Sequence, residues 1–335
     1  MLMQVPQVPN YKPETRERKA EKEPAEARVP HPLRKGDEEI WLLGLPPLSK
    51  LLTFVRDTVV DAAAVDRAAL TAEWRAANDY YEELEKSEAG IANQGTHREL
   101  DAGLARLAAE VQAHPHYRRC FDTLPSRFGM VELDKLIVCQ RHVTHNFVEA
   151  IKARVGPAPD PEALFRFCMP LATPGDTPVE ILEVGAHRYT FRCESTDFRF
   201  HEPVLLRPEQ AHGYEPYGVV AGIVGLVVGF GSNFLNAVQV GKRILLNNGY
   251  HRACALRSLG ITHAPCVIQT ATRADEVSIA VKSVVAESPE FYFESARPPL
   301  LKDFFDPRIR KLMPTRKRVR QIEVHFDIKN HLISE

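Results

Sequence analysis

The spacing of apolar residues along the chain changes near residue 157. Between residues 47 and 155 apolar positions recur every three or four residues, as at Leu51, Val55 and Val59. This period predicts amphipathic helices. The longest predicted helix covers residues 129–156, with Gly156 as its stop. The first half of the chain is therefore predicted to be a helical bundle.

From residue 157 onward apolar and polar residues alternate in short runs, such as VEILEV, HRYTFRC and FRFHEPVLL. Alternation with a period of two predicts strands that are buried on one face. The clearest case is QIEVHFDI at residues 321–328, where four apolar residues share one face: Ile322, Val324, Phe326 and Ile328. We therefore expect an α+β protein in which the helical bundle precedes a mixed α/β domain.

Changes in composition and in the spacing of apolar residues divide the chain into three expected regions. Residues 1–38 are rich in Pro, Lys, Arg and Glu, which predicts a disordered, charged tail. Residues 39–156 form the predicted helical domain and residues 157–335 the α/β domain.

The apolar segment around Trp41 must dock either on this protein or on a partner. The most apolar window, residues 218–231, is shorter than the roughly 20 residues that span a bilayer, so we expect a buried strand or turn and no membrane partner.

One segment, residues 237–269, carries the candidate chemistry. Its sequence, AVQVGKRILLNNGYHRACALRSLGITHAPCVIQ, predicts a strand, a turn, a second strand, a tight turn at residues 247–249, a helix, Gly260 as its cap, and a third strand. The first amides of a helix have no intrahelical acceptor and favour an anion. Arg252 could hold a phosphate through two nitrogens, and Gly249 leaves room for close approach.

The series Gly-x-His-Arg, an Ala- and Leu-rich helix, Leu-Gly and a strand resembles the signature shared by ParB N-terminal domains, sulfiredoxins and free-serine kinases. DGQHR-type proteins of DNA modification systems carry a similar motif. The resemblance covers about 30 residues, on the scale of one strand–helix–strand unit. It implies a ParB/sulfiredoxin-like fold and contacts to a nucleotide or to protein-bound phosphate from these residues: Asn248, Gly249, Tyr250, His251 and Arg252.

The chain departs from this family pattern in four respects. Tyr250 stands where sulfiredoxin-like members have the reactive Cys, so sulfinic acid reduction is not expected. Asn248 replaces an Asp found in kinase-like members and cannot act as a carboxylate base. The box reads GYHRAC rather than the GERRxR-like box of CTP-binding ParB proteins, and no ENLQR-like segment follows. The resemblance therefore does not select one activity within the superfamily.

Overall charge and cysteine usage narrow the functional classes. The chain has 43 Lys and Arg against 44 Asp and Glu, so a polyanion would have to bind a local patch. Six cysteines without a CxxC pair indicate reduced thiols and a cytoplasmic protein. The His142–His145 and His114–His116 pairs lack ligands at metal-site spacing, so no metal site is expected. A basic stretch near the C-terminus is the candidate nucleic-acid patch: Arg308, Arg310, Lys311, Arg316, Lys317, Arg318 and Arg320.

Three functional hypotheses remain open. The first is a nucleotide- or phosphate-binding protein, either an ATPase or a small-molecule kinase, using ATP or CTP with Mg and an acid such as Glu202. Its ligand would be a nucleotide or a phosphorylated small molecule. The second is a non-catalytic interaction protein that docks through residues 1–46. The third, a DNA-associated regulator, is not favoured because no aromatic stacking residue is interleaved in the basic stretch. Whether the protein is an enzyme is left open.

Overall fold

The computed structural model describes residues 36–95, 97–171, 178–195, 197–210 and 217–333. These residues form a mixed α/β structure with four small sheets. The strands are β1 Asp37–Leu42, β2 His97–Glu99, β3 Ser126–Glu132, β4 His142–Thr144, β5 Val179–Gly185, β6 Arg188–Cys193, β7 Phe198–Leu206, β8 Ile223–Phe230, β9 Asn236–Val240, β10 Arg243–Asn248, β11 His263–Ala271, β12 Arg310–Thr315 and β13 Arg320–His325. The helices are α1 Leu48–Thr58, α2 Arg67–Ser87, α3 Ala105–Ala113, α4 Pro115–Cys120, α5 His145–Val155, α6 Pro161–Cys168, α7 Tyr250–Ser258, α8 Ala274–Ala280, α9 Ser283–Ala286 and α10 Pro289–Phe293.

The largest sheet has the strand order β10-β9-β11-β3-β2. Strands β9 and β10 form an antiparallel hairpin that turns at Gly241, whose φ is +58°. Helix α7 then leads to β11, which lies parallel to β9. The predicted order of strand, turn, strand, helix and strand is therefore confirmed, and Gly260 follows the helix with a φ of +81°. This unit holds the candidate site at the start of α7.

Strands from the two halves of the sequence pair with each other. Strand β1 is antiparallel to β12, and β3 is antiparallel to β11. The chain from residue 36 onward accordingly clusters into one compact unit. Helices α1 to α5 lie within the region predicted to be helical, residues 47–155, but strands β2, β3 and β4 interrupt it, and residues 39–156 do not form a separate helical bundle. Strands β1, β3 and β4 were missed because each pairs with a strand more than 100 residues away in the sequence, and β2 because it is only three residues long.

The helix predicted over residues 129–156 is wrong for most of its length. Strand β3, a single 3-10 turn at Leu133–Lys135 and strand β4 occupy its first part, and only α5 is helical. Leu133, Leu136 and Ile137 are buried completely, so their spacing marks core positions and not one face of a helix. Gly156 does end α5, with a φ of +76°.

The apolar segment around Trp41 belongs to the core of this protein. Trp41 lies on β1, is buried, and stacks on His142 with a ring separation of 5.4 Å and an interplanar angle of 4°. Phe54 of α1 packs on the same indole at 4.4 Å. Residues 36–46 therefore cannot be the exposed partner-docking segment that we expected. Residues 1–35 of the predicted tail lie outside the described residues.

Two further strand predictions are confirmed in part. Strand β13 ends at His325, so Ile322 and Val324 are partly buried while Phe326 and Ile328 are exposed. The apolar window at residues 218–231 contains strand β8, but several of its apolar side chains are exposed and not buried. In the described parts of the chain, no helix combines the length and apolar character needed to cross a membrane.

Candidate functional site

The candidate site is the corner at which β10 gives way to α7. Gly249 is the N-cap of the helix and has a φ of +97°, a conformation that suits glycine. The Ala253 amide donates to the Gly249 carbonyl at 2.9 Å, so the helical hydrogen bonds begin there. The amides of residues 250–252 precede that first bond, and the helix dipole favours negative charge beside them. Residues 247–249 are partly exposed, which gives the corner access to solvent.

Gly249 is also required by the packing around it. A Cβ at this position would lie 2.4 Å from the Cδ1 atom of Leu235 and 3.3 Å from Nη2 of Arg252. Leu235 is fully buried and covers the face of Gly249 that was expected to lie open to a ligand. The glycine is therefore needed both for its backbone conformation and for the approach of Leu235.

Arg252 is a buried residue, with 8% of its surface exposed. Its Nη1 donates to the carbonyl oxygens of Phe167 and Cys168 at 3.3 and 3.2 Å, and so caps the C-terminus of α6. Nη1 is therefore not available to a phosphate, and a two-nitrogen contact as expected from the sequence would have to use Nε and Nη2. Nη2 is buried and has no acceptor among the described residues. A buried guanidinium nitrogen without a partner is costly.

The charge of Arg252 is held in an environment of low polarity. Burial lowers the pKa of its guanidinium, while the nearby thiols and Asp197 act in the opposite direction. An arginine remains charged in proteins even after such a shift. Asp197 has one carboxylate oxygen, Oδ2, that is buried without a hydrogen-bond partner among the described residues. The corner therefore contains a buried cation with one spare donor and, within electrostatic reach, a carboxylate with one spare acceptor.

The other predicted site residues have structural partners. Tyr250 is buried, and its hydroxyl donates to the Leu246 carbonyl at 2.5 Å and accepts from the Cys139 amide at 3.3 Å. Asn248 donates through Nδ2 to the carbonyls of Ser232 and Phe234. These contacts fasten the corner to neighbouring segments. Of the five predicted residues, Gly249 and Arg252 thus remain the ones whose geometry still favours an anion.

His251 connects α7 to the strand β4. Its Nε2 accepts a hydrogen bond from the Thr144 amide at 3.0 Å, and its ring lies edge-on to Phe147 at 5.1 Å. Burial, together with the charges of His142 and Arg252, lowers the pKa of His251 to about 4. The imidazole is therefore neutral at pH 7, as its role as an acceptor requires. A ligand cannot use Nε2 without breaking the bond to Thr144.

Acidification is expected to destabilise the protein through His251. Its pKa falls from 6.5 in the unfolded chain to about 4 in the folded chain. Between these pH values the unfolded state binds more protons than the folded state. The stabilisation from neutral His251 is therefore complete above pH 6.5 and is lost as the pH falls toward 4. The slope contributed by this group is at most about 1.4 kcal/mol per pH unit. Urea unfolding at several pH values should show a smaller acid loss in His251→Gln than in the wild type. Equal pH dependence in the two proteins would contradict the assignment.

Sequence reasoning missed an acid–histidine pair beside the corner. Glu39 of β1 is buried, and its Oε2 lies 2.7 Å from Nδ1 of His142, although the two groups are not aligned for a linear hydrogen bond. The other carboxylate oxygen of Glu39 pairs with Arg318. Burial lowers the pKa of His142 to about 4. The pair was invisible in the sequence because residue 142 lay in a predicted helix. Glu202, the acid suggested from the sequence, pairs with Arg119.

Most cations of the basic stretch of residues 308–320 already have partners in the same chain, whereas Arg316 is exposed and has no ion pair among the described residues. Four of its cations form ion pairs with carboxylates of the same chain: Arg308 with Asp306, Lys311 with Glu73, Lys317 with Glu194 and Arg318 with Glu39. The guanidinium groups of Arg310 and Arg320 donate to backbone carbonyls. A polyanion would have to displace these partners, so the structure adds nothing in favour of a nucleic-acid patch.

A cavity of about 430 Å³ lies near the opposite end of α7 and is lined by Arg257, Arg297, Lys302, Arg308 and several acids. Its cations are already paired, because Arg297 contacts Glu88 and Asp303, and Lys302 also contacts Glu88. None of the five predicted site residues lines this cavity. Within the described ranges, no cluster of three or more His, Cys, Asp or Glu side chains is arranged to hold a metal ion.

Comparison with known proteins places this geometry in no established family. No protein-family model, no curated protein and no solved structure matches the chain.

Proposed function

We propose that the protein binds one phosphate group of a nucleotide or of a phosphorylated small molecule at the start of α7. Nη2 of Arg252 and the amides of residues 250–252 would hold the phosphate oxygens. The observation that carries the proposal is the buried Nη2 beside Gly249, which has no acceptor among the residues that the structure describes. The resemblance of residues 249–252 to the ParB/sulfiredoxin-like motif favours the same ligand class.

Leu235 determines how a phosphate would reach this nitrogen. Its Cδ1 fills the space directly over Gly249, while Asn247 and Asn248 leave the neighbouring surface partly exposed. Binding therefore requires the buried Leu235 side chain to move, at a cost in core packing. A charge-assisted hydrogen bond contributes about 1.5–3 kcal/mol and offsets that cost.

The enzymatic form of this proposal is an ATPase or a small-molecule kinase. Such an enzyme needs an acid or base near the phosphate. There are two candidates for this acid or base. One is the Glu39–His142 pair, because His142 interacts electrostatically with His251. The other is Asp197, which interacts electrostatically with Arg252. Mg would arrive with the phosphates of ATP or CTP.

Calorimetric titration with orthophosphate, pyrophosphate, ADP, ATP and CTP tests the proposal. We expect Arg252→Met to weaken binding by about 10-fold or more, because the charge is lost. Arg252→Lys keeps the charge and should retain part of the affinity. Both variants lose the cap on α6, so their comparison separates ligand binding from folding.

Arg257→Met provides the control at the other end of α7, because Arg257 lines the separate cavity. Its affinity should equal that of the wild type. The proposal fails if the wild type binds none of these ligands, if Arg252→Met binds as tightly as the wild type, or if only Arg257→Met loses affinity. Measuring phosphate release from ATP in the same samples tests the enzymatic form.

A further inference from the structure

Strands β7 and β8 form a two-stranded ribbon with one entirely apolar face. The register pairs Phe200 with Val228, and a bulge follows at His201. After the bulge Leu205 pairs with Val224. Alternation along the strands then places eight apolar residues on this face: Phe198, Phe200, Pro203, Leu205, Val224, Leu226, Val228 and Phe230. We call it the apolar ribbon face.

One end of the apolar ribbon face is anchored and the other is exposed. Phe198 is buried and lies 5.5 Å from the ring of Phe230. Five other members of the face are exposed: Phe200 by 44%, Leu205 by 79%, Val224 by 74% and Leu226 by 39%, together with Pro203. These side chains present roughly 500 Å² of apolar surface, which is the size at which exposed patches mark interaction sites.

The opposite face of the ribbon is turned toward the rest of the protein. His201 and Glu202 lie on it, and Glu202 forms an ion pair with Arg119 of α4. The apolar ribbon face therefore points away from α4, and it carries no charged side chain. A two-stranded ribbon is only marginally stable in water unless its apolar face packs on something.

The outer edge of β8 is also unprotected. In the described part of the chain, no strand pairs with β8 except β7. The sequence of β8, IVGLVVGF, contains no charge and no proline. Strand β7, in contrast, carries the bulge, Pro203 and charged side chains, which are features that protect strands from association. Strand β8 thus lacks the features that prevent an exposed strand from associating with another chain.

We propose that the apolar ribbon face packs against the same face of a second copy of this chain. A two-fold axis places the same surface of two copies against each other, and an uncharged apolar surface is complementary to itself. Two copies together would bury about 1,000 Å², which is the lower limit of a specific interface. A membrane surface is the alternative occupant, because Arg199 and Arg207 adjoin the ribbon, and vesicle binding distinguishes it from the dimer. The proposal is independent of the phosphate site.

Leu226 and Val227 provide a matched pair of variants for testing the dimer. They are neighbours on β8 and both are 39% exposed, but they lie on opposite faces of the ribbon. The full chain should have twice its 37.7 kDa mass in light scattering after size exclusion. Leu226→Glu should weaken dimerisation by at least about 10-fold, because the interface would bury an unpaired charge. Val227→Glu should remain dimeric.

Circular dichroism would confirm that both variants are folded, and Phe200→Ser provides a second variant on the apolar ribbon face should Leu226→Glu fail to fold. A monomeric wild type at the highest soluble concentration would overturn the proposal. Equal loss of dimer in Leu226→Glu and Val227→Glu would also overturn it. If the wild type instead binds vesicles of phosphatidylcholine and phosphatidylserine as a monomer, and Leu226→Glu abolishes that binding, the face is a membrane contact and the dimer is excluded.

Discussion

Replacing Asp303 by Asn is expected to lower the free energy of unfolding by about 3 kcal/mol. Asp303 and Arg297 are both 1% exposed, and the two carboxylate oxygens accept from Nη1 and Nη2 of the guanidinium at 2.6 Å each. The same carboxylate accepts from the Leu300 amide at 2.8 Å. The variant leaves the cation of Arg297 in the interior with only partial compensation from Glu88. Removing one partner of a buried pair costs more than the pair itself contributes.

Asp306→Asn is the control for this prediction. Asp306 pairs with Arg308, whose side chain is largely exposed, and accepts a hydrogen bond from the Tyr80 hydroxyl at 3.1 Å, and each of these contacts contributes about 1 kcal/mol. Urea unfolding followed by circular dichroism measures both variants under the same conditions. If Asp303→Asn unfolds at the same urea concentration as Asp306→Asn, the buried network does not stabilise the fold in the way described.

Gly249→Ala is expected to destabilise the protein by about 2–4 kcal/mol, the sum of the left-handed conformation and of overpacking. The new Cβ would meet Cδ1 of the fully buried Leu235 at 2.4 Å. Thermal unfolding measures the effect. Because the corner itself would shift, phosphate binding should weaken in the same variant.

Gly260→Ala separates the two contributions. Gly260 also has a positive φ, of +81°, but a Cβ there would meet no atom within 4 Å. Only the backbone cost of about 1–2 kcal/mol is expected at this position. A loss of stability in Gly249→Ala no larger than that in Gly260→Ala would show that Leu235 does not constrain the corner.

Local patterns in the sequence predicted the unit that carries the candidate site. Residues 236–271 follow the order expected from the Gly241 turn, Gly249, the short helix and Gly260, because each of these features acts over a few residues. The strand β13 was found for the same reason, since alternation is visible within six residues. Local propensity is sufficient where turn chemistry and periodicity agree.

The features of the fold that the sequence did not predict depend on contacts between segments that are far apart in the sequence. Trp41 and Leu133 lie in apolar runs whose partners come from distant segments, so the sequence could not show that they belong to strand β1 and to the turn after β3. The guanidinium of Arg252 was expected to face solvent, but α6, more than 80 residues earlier, takes one of its nitrogens. The pairing of Glu39 with His142 arises from the β1–β4 register and has no local signal.

Backbone amide chemical shifts measured during a pyrophosphate titration test the phosphate site most directly. The proposal predicts that the largest shifts fall on the amides of Tyr250, His251 and Arg252, with smaller shifts at Leu235 as its side chain moves. It also predicts that Arg252→Met raises the pyrophosphate concentration at which these shifts reach half their maximum by about 10-fold or more. Shifts confined to the basic stretch 308–320, or to the cavity lined by Arg257, would contradict the assignment of the phosphate site to the start of α7.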